Sequence, residues 1–124
     1  MEVANHSGIP PQNFVCVDAN GSIGWTILGP IPRRIGGPGR VPASWADGTR
    51  RWDGWLGSGE HPRLIDPASG RIWTANNRVL DGEMLQRIGD GGYDLGARAG
   101  QIRDRLRGLE GATEKDMLEI QLDD

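Results

Sequence analysis

The alternation of apolar and polar positions predicts β structure in the first part of the chain. Residues 13–28 alternate on either side of Asn20-Gly21, a pair that tolerates the positive φ angles of a tight hairpin turn. We therefore predict a β-hairpin over 13–28, which must join a larger sheet or pack on another element because isolated hairpins are marginal in water. A second apolar run over 70–76 predicts a strand that ends on Asn76.

The last third of the chain has the spacing of amphipathic helices. Asp94 is the predicted N-cap of the first helix. The apolar residues that follow recur every three or four positions and form one stripe: Leu95, Ala99, Ile102, Leu106 and Leu109. Thr113 and Asp116 have the spacing of a capping box, which predicts the start of a second helix. Residues 93–124 are accordingly predicted to form a pair of helices.

Residues 29–69 lie between these two parts and contain too many glycines and prolines for long regular elements. We predict an irregular region here, pinned onto the body of the domain by Trp45, Trp52 and Trp55. The whole pattern predicts an α+β fold with antiparallel strands and a packed C-terminal helix pair.

Composition narrows the class of protein. A chain of 124 residues forms one domain at most, and its formal net charge of -3 gives no electrostatic case for nucleic-acid binding. No apolar run approaches the ~20 residues of a transmembrane helix, and the chain does not open with a signal peptide. The single Cys16 excludes an internal disulfide and, within an apolar strand pattern, is predicted to be a buried thiol.

The usual catalytic and metal-binding motifs do not occur in the sequence. His6 and His61 lack the spacing of metal ligands, and both are predicted to be solvated loop residues. There is no P-loop and no Gly-x-Ser-x-Gly elbow. Two carboxamides at a strand end, Asn76 and Asn77, indicate a turn, a cap or a site. Arg98 lies on or beside the apolar helix stripe, so its guanidinium must either extend to solvent or find acceptors.

These motifs follow one another in an order that resembles a known family. They are Gln12-Asn13-Phe14-Val15, Asn20-Gly21-x-Ile23-Gly24-Trp25, Gly29-x-x-Pro32-x-Arg34, Trp52-Asp53-Gly54-Trp55, Pro67-x-Ser69-Gly70, Thr74-Ala75-Asn76-Asn77-Arg78 and Arg98-x-x-x-Ile102. From about residue 13 to residue 123, the chain resembles the middle of the β chain of the penicillin acylase (penicillin amidase) family of N-terminal-nucleophile amidohydrolases. The resemblance implies that residues 1–124 are a single partial domain of the family's αββα sandwich.

The resemblance also implies roles for particular residues. The position of Asn76 supplies a side-chain amide to the oxyanion hole, and the position of Arg98 helps to organise the catalytic centre. We therefore expect Arg98 to be mostly buried and bonded near Asn76. Gln12 matches a position near the acyl-binding pocket, which makes it the predicted substrate-binding residue. Family members bind calcium, but the matching positions here, Gly39 and Arg87, do not supply ligand side chains, so we expect no metal and no cofactor.

The family nucleophile is a serine at the freed N-terminus of the β chain. The five serines of this sequence are all internal, and the resemblance begins downstream of that position. We therefore expect a fragment that is inactive alone. Its expected partners are the remainder of the β chain, an α chain and an N-acyl small-molecule substrate such as a β-lactam or an acyl-homoserine lactone. Nucleic acid and a membrane span are not expected, and the family suggests a periplasmic or secreted location.

An alternative function is a non-catalytic interaction module. Trp45, Trp52 and Trp55 would then form an exposed surface that binds a sugar or a protein partner. The exposure of the three indoles distinguishes the two functions, because buried indoles favour a scaffold and exposed indoles favour a binding surface.

Overall fold

The computed structural model describes residues 1–89 and 92–123. Asp90, Gly91 and Asp124, the last of which ends the predicted helical segment 93–124, lie outside the described residues. The elements in chain order are α1 (Glu2–Asn5), β1 (Gln12–Val17), β2 (Ile23–Leu28), β3 (Pro32–Ile35), β4 (Arg51–Trp55), a 3-10 turn (Ser58–Glu60), β5 (Arg63–Ile65), α2 (Gly82–Ile88), α3 (Ala97–Arg107) and α4 (Glu114–Gln121). The fold is α+β with antiparallel strands, as predicted.

Strands β1 and β2 form an antiparallel hairpin that belongs to a three-stranded sheet of order β1-β2-β5. Its turn is closed by Asp18, whose Oδ1 accepts hydrogen bonds from the backbone N–H groups of Asn20 and Ser22 at 2.8 and 3.0 Å. Gly21 supplies the left-handed conformation of the turn, with a φ of 84°. The central strand β2 is the most buried of the three, because it has a neighbour on each side.

The prediction of a strand over 70–76 is wrong. These residues are irregular, and the third strand of the sheet is β5 instead. The physical reason is local: the backbone N–H of Ala75 donates to the side chain of Asn77 rather than to a neighbouring strand. Asn76 also adopts a φ of 59°, which no regular strand contains.

The prediction that 29–69 is irregular is also wrong in part. Strands β3 and β4 pair within this region as a two-stranded antiparallel sheet, with a register shift between Pro32 and Arg34. Six of the fourteen glycines and prolines of this region lie in the long connection between the two strands. Two short strands far apart in sequence leave no periodic signal within a local window.

A buried polar cluster joins α1 to the three-stranded sheet. Asn5 donates through Nδ2 to Thr26 Oγ1 at 3.0 Å, and Thr26 Oγ1 donates to the carbonyl of Pro62 at 2.8 Å. His61 Nδ1 lies 3.0 Å from the carbonyl oxygen of Ile27. The expectation that His61 is solvated is therefore wrong, since only 3% of this residue is exposed. Burial is tolerated because the imidazole has hydrogen-bonding partners within reach, the carbonyl of Ile27 and the carboxamide of Asn5.

The first of the two predicted C-terminal helices differs from the prediction at its N-terminal end. Helix α3 begins at Ala97 after the N-cap Gly96, so Asp94 is not the N-cap, and Leu95 is 84% exposed rather than part of a buried stripe. The capping box of α4 is confirmed: Asp116 accepts from the backbone N–H of Thr113 at 2.7 Å, and Thr113 accepts from that of Asp116. Within 1–89 and 92–123 there is no helix with the length and apolarity required to cross a membrane.

Candidate functional site

An open cavity of about 300 Å³ lies where the first strand of each sheet meets the Asn76-Asn77 turn and the end of α2. Its lining includes Gln12, the first residue of β1, and Asn76. The structure therefore brings two of the three predicted site residues to one cavity. Apolar side chains such as Ile27 and Val79 share the lining with several carboxamides, a mixture typical of sites for small molecules.

Asn76 occupies a backbone conformation that few residue types accept. Its φ of 59° is left-handed, and among the described non-glycine residues only Asp66 shares a positive φ. Asparagine tolerates this region better than most residues. The backbone carbonyl of Asn76 also accepts the N–H of Asp94 at 2.8 Å, so the turn is fixed to the segment that leads into α3.

The two adjacent asparagines have different hydrogen-bonding arrangements. Asn77 uses both ends of its carboxamide inside the turn: Oδ1 accepts from the N–H of Ala75 at 3.0 Å, and Nδ2 donates to the carbonyl of Arg78 at 2.9 Å. The carboxamide of Asn76 is bonded at its oxygen end only, by Arg98 Nη2 at 2.7 Å. Over 1–89 and 92–123, no acceptor is hydrogen-bonded to Asn76 Nδ2. Asn77 therefore holds the turn, while Asn76, which also lines the cavity, has an Nδ2 donor without an acceptor among the described residues.

Arg98 determines how the Asn76 carboxamide is oriented. A guanidinium only donates hydrogen bonds, so the carboxamide atom that faces it is the oxygen, and the NH₂ group faces elsewhere. Arg98 Nη2 also lies 3.4 Å from the carbonyl oxygen of Ala75, at the start of the same turn. One cation thus contacts both the backbone and the side chain of this turn.

The expectation that Arg98 is mostly buried is wrong, because the residue is exposed. It lies in the first turn of α3, before the buried residue Ala99. A cation in the first turn of a helix is disfavoured by the helix dipole by about 0.3–1 kcal/mol. The charge-assisted bond to Asn76 offsets that cost, so the position is explained by the contact and not by core packing.

Gln12 is placed by the hairpin. It is exposed, pairs with Leu28 across the β1–β2 ladder and lines the same cavity as Asn76. The neighbouring Asn13 accepts the indole N–H of Trp25 at 2.8 Å, which ties this end of β1 to the centre of the sheet. Gln12, as part of the cavity lining, is thus held by a regular element.

The positions that match calcium ligands do not fit a cation. A Cβ on Gly39 would lie 3.1 Å from Nε of Arg34, so a guanidinium already packs against this position. Arg87 is itself a cation on α2. In the described part of the chain, no group of three or more histidine, cysteine or acidic side chains is close enough to hold a metal.

Trp45, Trp52 and Trp55 contact one another at the surface, one pair edge-on and the other tilted. Ring centroids are 6.4 Å apart for Trp45 and Trp52, and 5.9 Å apart for Trp52 and Trp55. About half of the surface of each tryptophan is exposed. All five residues of β4 are exposed as well. The indoles stabilise one another but do not pin this region onto the domain core.

Arg34 lies within the Gly29-x-x-Pro32-x-Arg34 motif, which by itself indicates no role for its side chain. Arg34 also lines the cavity, and its Nη1 donates to the carbonyl of Ile88 at 2.8 Å. These two residues are 54 positions apart in the sequence. No local spacing rule could have paired them, because the contact depends on how α2 packs beside β3.

The arrangement has a defined chemical capability. A carboxamide whose oxygen is held by a cation, and whose N–H groups have no acceptor in the described structure, can stabilise a negative charge on a substrate oxygen, as in acyl-transfer enzymes. The model of the penicillin amidase family matches residues 1–124, and the chain belongs to this family.

Relatives of known name agree with this membership. The chain is 40% identical over 73 residues to penicillin acylase 2 proenzyme of Pseudomonas sp. (strain SE83), an alignment that covers 59% of this chain and 9% of that protein. It is 43% identical over 68 residues to the acyl-homoserine lactone acylase QuiP of Pseudomonas fluorescens, covering 55% and 8%. The aligned part of the chain spans less than a tenth of the length of these relatives. The family match confirms the resemblance that the sequence motifs indicated.

Proposed function

We propose that this chain is a segment of an amidohydrolase that cleaves the carbon–nitrogen amide bond of N-acyl substrates. In this proposal Asn76 is the oxyanion donor, Arg98 positions it, and Gln12 contacts the acyl group. Membership of the penicillin amidase family supports the reaction class. The observation that supports the roles is the 2.7 Å bond from Arg98 to Oδ1 of Asn76, a residue that lines the cavity, because this bond engages the oxygen and not the NH₂ group of the carboxamide.

The bond from Arg98 does more than orient the amide. When the carboxamide oxygen accepts a hydrogen bond from a cation, electron density moves toward that oxygen and the N–H groups become better donors. Attack on a substrate carbonyl converts its oxygen into an oxyanion, and Asn76 Nδ2 donates to that atom. One such donor typically contributes about 2.7–4 kcal/mol to transition-state stabilisation.

The nucleophile is proposed to come from outside these 124 residues. Acyl transfer needs an activated hydroxyl, a base and an oxyanion hole in one place. The described part of the chain brings a single proposed oxyanion donor to the cavity, and its serines are not among the cavity residues. We therefore propose that the remainder of a β chain and an α chain complete the active site.

The relatives suggest two kinds of substrate. One is named a penicillin acylase and the other an acyl-homoserine lactone acylase. Both names denote cleavage of an N-acyl group, and an amide carbonyl is the part on which Asn76 would act. The proposed substrates are accordingly N-acyl β-lactams or N-acyl-homoserine lactones.

The test of this function is amide hydrolysis by the purified chain and by the complete enzyme of which it is proposed to be a part. Phenylacetyl, aliphatic acyl-homoserine lactone and cephalosporin-type amides serve as substrates. We expect no turnover by the 124-residue chain and turnover after the other segments are added. Hydrolysis by the chain alone, or none by the complete enzyme, would overturn the proposal.

A second candidate function is partner binding at the Trp45–Trp52–Trp55 surface, which the exposure of these indoles favours. Intrinsic tryptophan fluorescence measures whether a partner covers this surface. We expect a blue shift when the other enzyme segments cover the surface, reduced in Trp52→Ala because Trp52 contacts both of the other indoles. A saturable emission change with an oligosaccharide, and none with the enzyme segments, would instead establish a separate binding module.

A further inference from the structure

Arg34 is one of the residues that line the same cavity as Asn76 and Gln12. The adjacent Arg33 is paired with Glu60 through two bonds of 2.8 and 2.6 Å. Glu60 is thereby kept ionised, since the bond from Arg33 is the main cause that lowers its pKa to about 2. Arg34 forms no ion pair with any carboxylate of residues 1–89 and 92–123. Of these two consecutive arginines, Arg33 thus has a carboxylate partner, while Arg34 has none in the described chain.

The position of the Arg34 side chain is determined by close backbone contacts. A Cβ on Gly89 would lie 3.0 Å from its Cζ, and a Cβ on Gly39 would lie 3.1 Å from its Nε. Gly89 and Gly39 have positive φ angles of 78° and 73°, which residues with a Cβ atom rarely adopt. One guanidinium N–H group donates to the carbonyl of Ile88. The fold thus holds this cation in a fixed place while most of its donors lack an acceptor in the described chain.

Partial burial has an energetic consequence for Arg34. Loss of hydration lowers the pKa of its guanidinium below the ordinary value, although an arginine stays charged at neutral pH. A half-buried cation without a counter-charge is unfavourable, and an anion that enters the cavity relieves this cost. Guanidinium groups bind carboxylates especially well, because two parallel N–H groups match the two oxygens.

We propose that Arg34 determines substrate specificity by binding a carboxylate of the substrate while Asn76 binds its amide carbonyl. This inference rests on the proposed amidohydrolase function. The preferred substrates are then N-acyl compounds whose amine portion carries a carboxylate, such as β-lactams with a free acid or ring-opened N-acyl-homoserines. A neutral N-acyl-homoserine lactone lacks the charge that Arg34 recognises.

The test compares two substrates that differ only at this charge. N-acyl-homoserine and its lactone, with the same acyl chain, are given to the complete enzyme and to its Arg34→Gln variant. We expect the variant to raise KM for the acid by about ten- to a hundredfold, the usual range for a charged hydrogen bond, and to leave the lactone within about twofold. Arg51→Gln, which removes an exposed cation from the same two-stranded sheet, should change neither KM.

Two results would overturn the proposal: an equal loss for acid and lactone, which would make Arg34 a structural residue, or no loss for either. If Arg34→Gln does not fold, Arg34→Lys is used in its place, because it keeps the charge but not the paired N–H groups. We then expect a rise in KM for the acid and no change in KM for the lactone. If the wild-type enzyme hydrolyses neither compound and also fails on the phenylacetyl and cephalosporin-type amides, the proposed function fails. The specificity of Arg34 is then tested separately by NMR, with N-acyl-homoserine added while the Arg34 Nε–H resonance is followed. If this resonance does not shift, the proposed role of Arg34 is overturned.

Discussion

Replacing Asn76 by alanine is expected to lower kcat of the complete enzyme by about 10²–10³-fold, with a much smaller change in KM. The reason is that its amide donates to an oxygen whose negative charge develops only in the transition state. Steady-state kinetics on a phenylacetyl amide measures this effect. Asn76→Gly is the sharper variant, because glycine accepts the left-handed backbone at this position and removes the amide without backbone strain.

The neighbouring asparagine provides the contrast for this prediction. Asn77→Ala deletes two hydrogen bonds that hold the turn and should destabilise the protein by about 1–3 kcal/mol, as a chemical denaturation curve would measure. Its kcat loss should be smaller than that of Asn76→Gly at a temperature where both variants are folded. A wild-type kcat in Asn76→Gly, or a larger loss in Asn77→Ala, would contradict the roles assigned to the pair.

Arg98→Lys is expected to lower kcat by at least about tenfold, although the charge is kept. A lysine ammonium is a point charge on a flexible stem and cannot reproduce the geometry with which the planar guanidinium holds Asn76 Oδ1. The measurement is kcat against KM for the same amide. Arg103→Lys, on the same helix but paired with its own partner Asp104, is the matched control and should behave like wild type.

A double variant tests whether Arg98 acts through Asn76. If it does, combining Arg98→Lys with Asn76→Gly should be no worse than Asn76→Gly alone, because the group that Arg98 positions is already absent. Additive losses would show that Arg98 acts on catalysis by another route. A wild-type kcat in the single variant would leave Arg98 as an ordinary surface residue.

Some features of this protein follow from short stretches of sequence. The Asn20-Gly21 turn and the Thr113–Asp116 capping box depend on groups within four residues of each other, so their geometry is encoded locally. The ordered motifs were likewise sufficient to identify the penicillin amidase family. They singled out Asn76 and Arg98, which the structure joins by a 2.7 Å hydrogen bond across 22 positions.

Other features were decided only by the tertiary structure, because they depend on contacts between distant residues. His61 is buried since α1 and β2 place hydrogen-bonding groups around it, and no local pattern encodes that. The third strand is β5 and not 70–76, because the side chain of Asn77 binds the backbone that a strand would need. The same is true of the asparagine pair and Arg34: sequence gives two equivalent carboxamides and one more arginine, while packing against α2 and α3 determines which donors remain at the cavity.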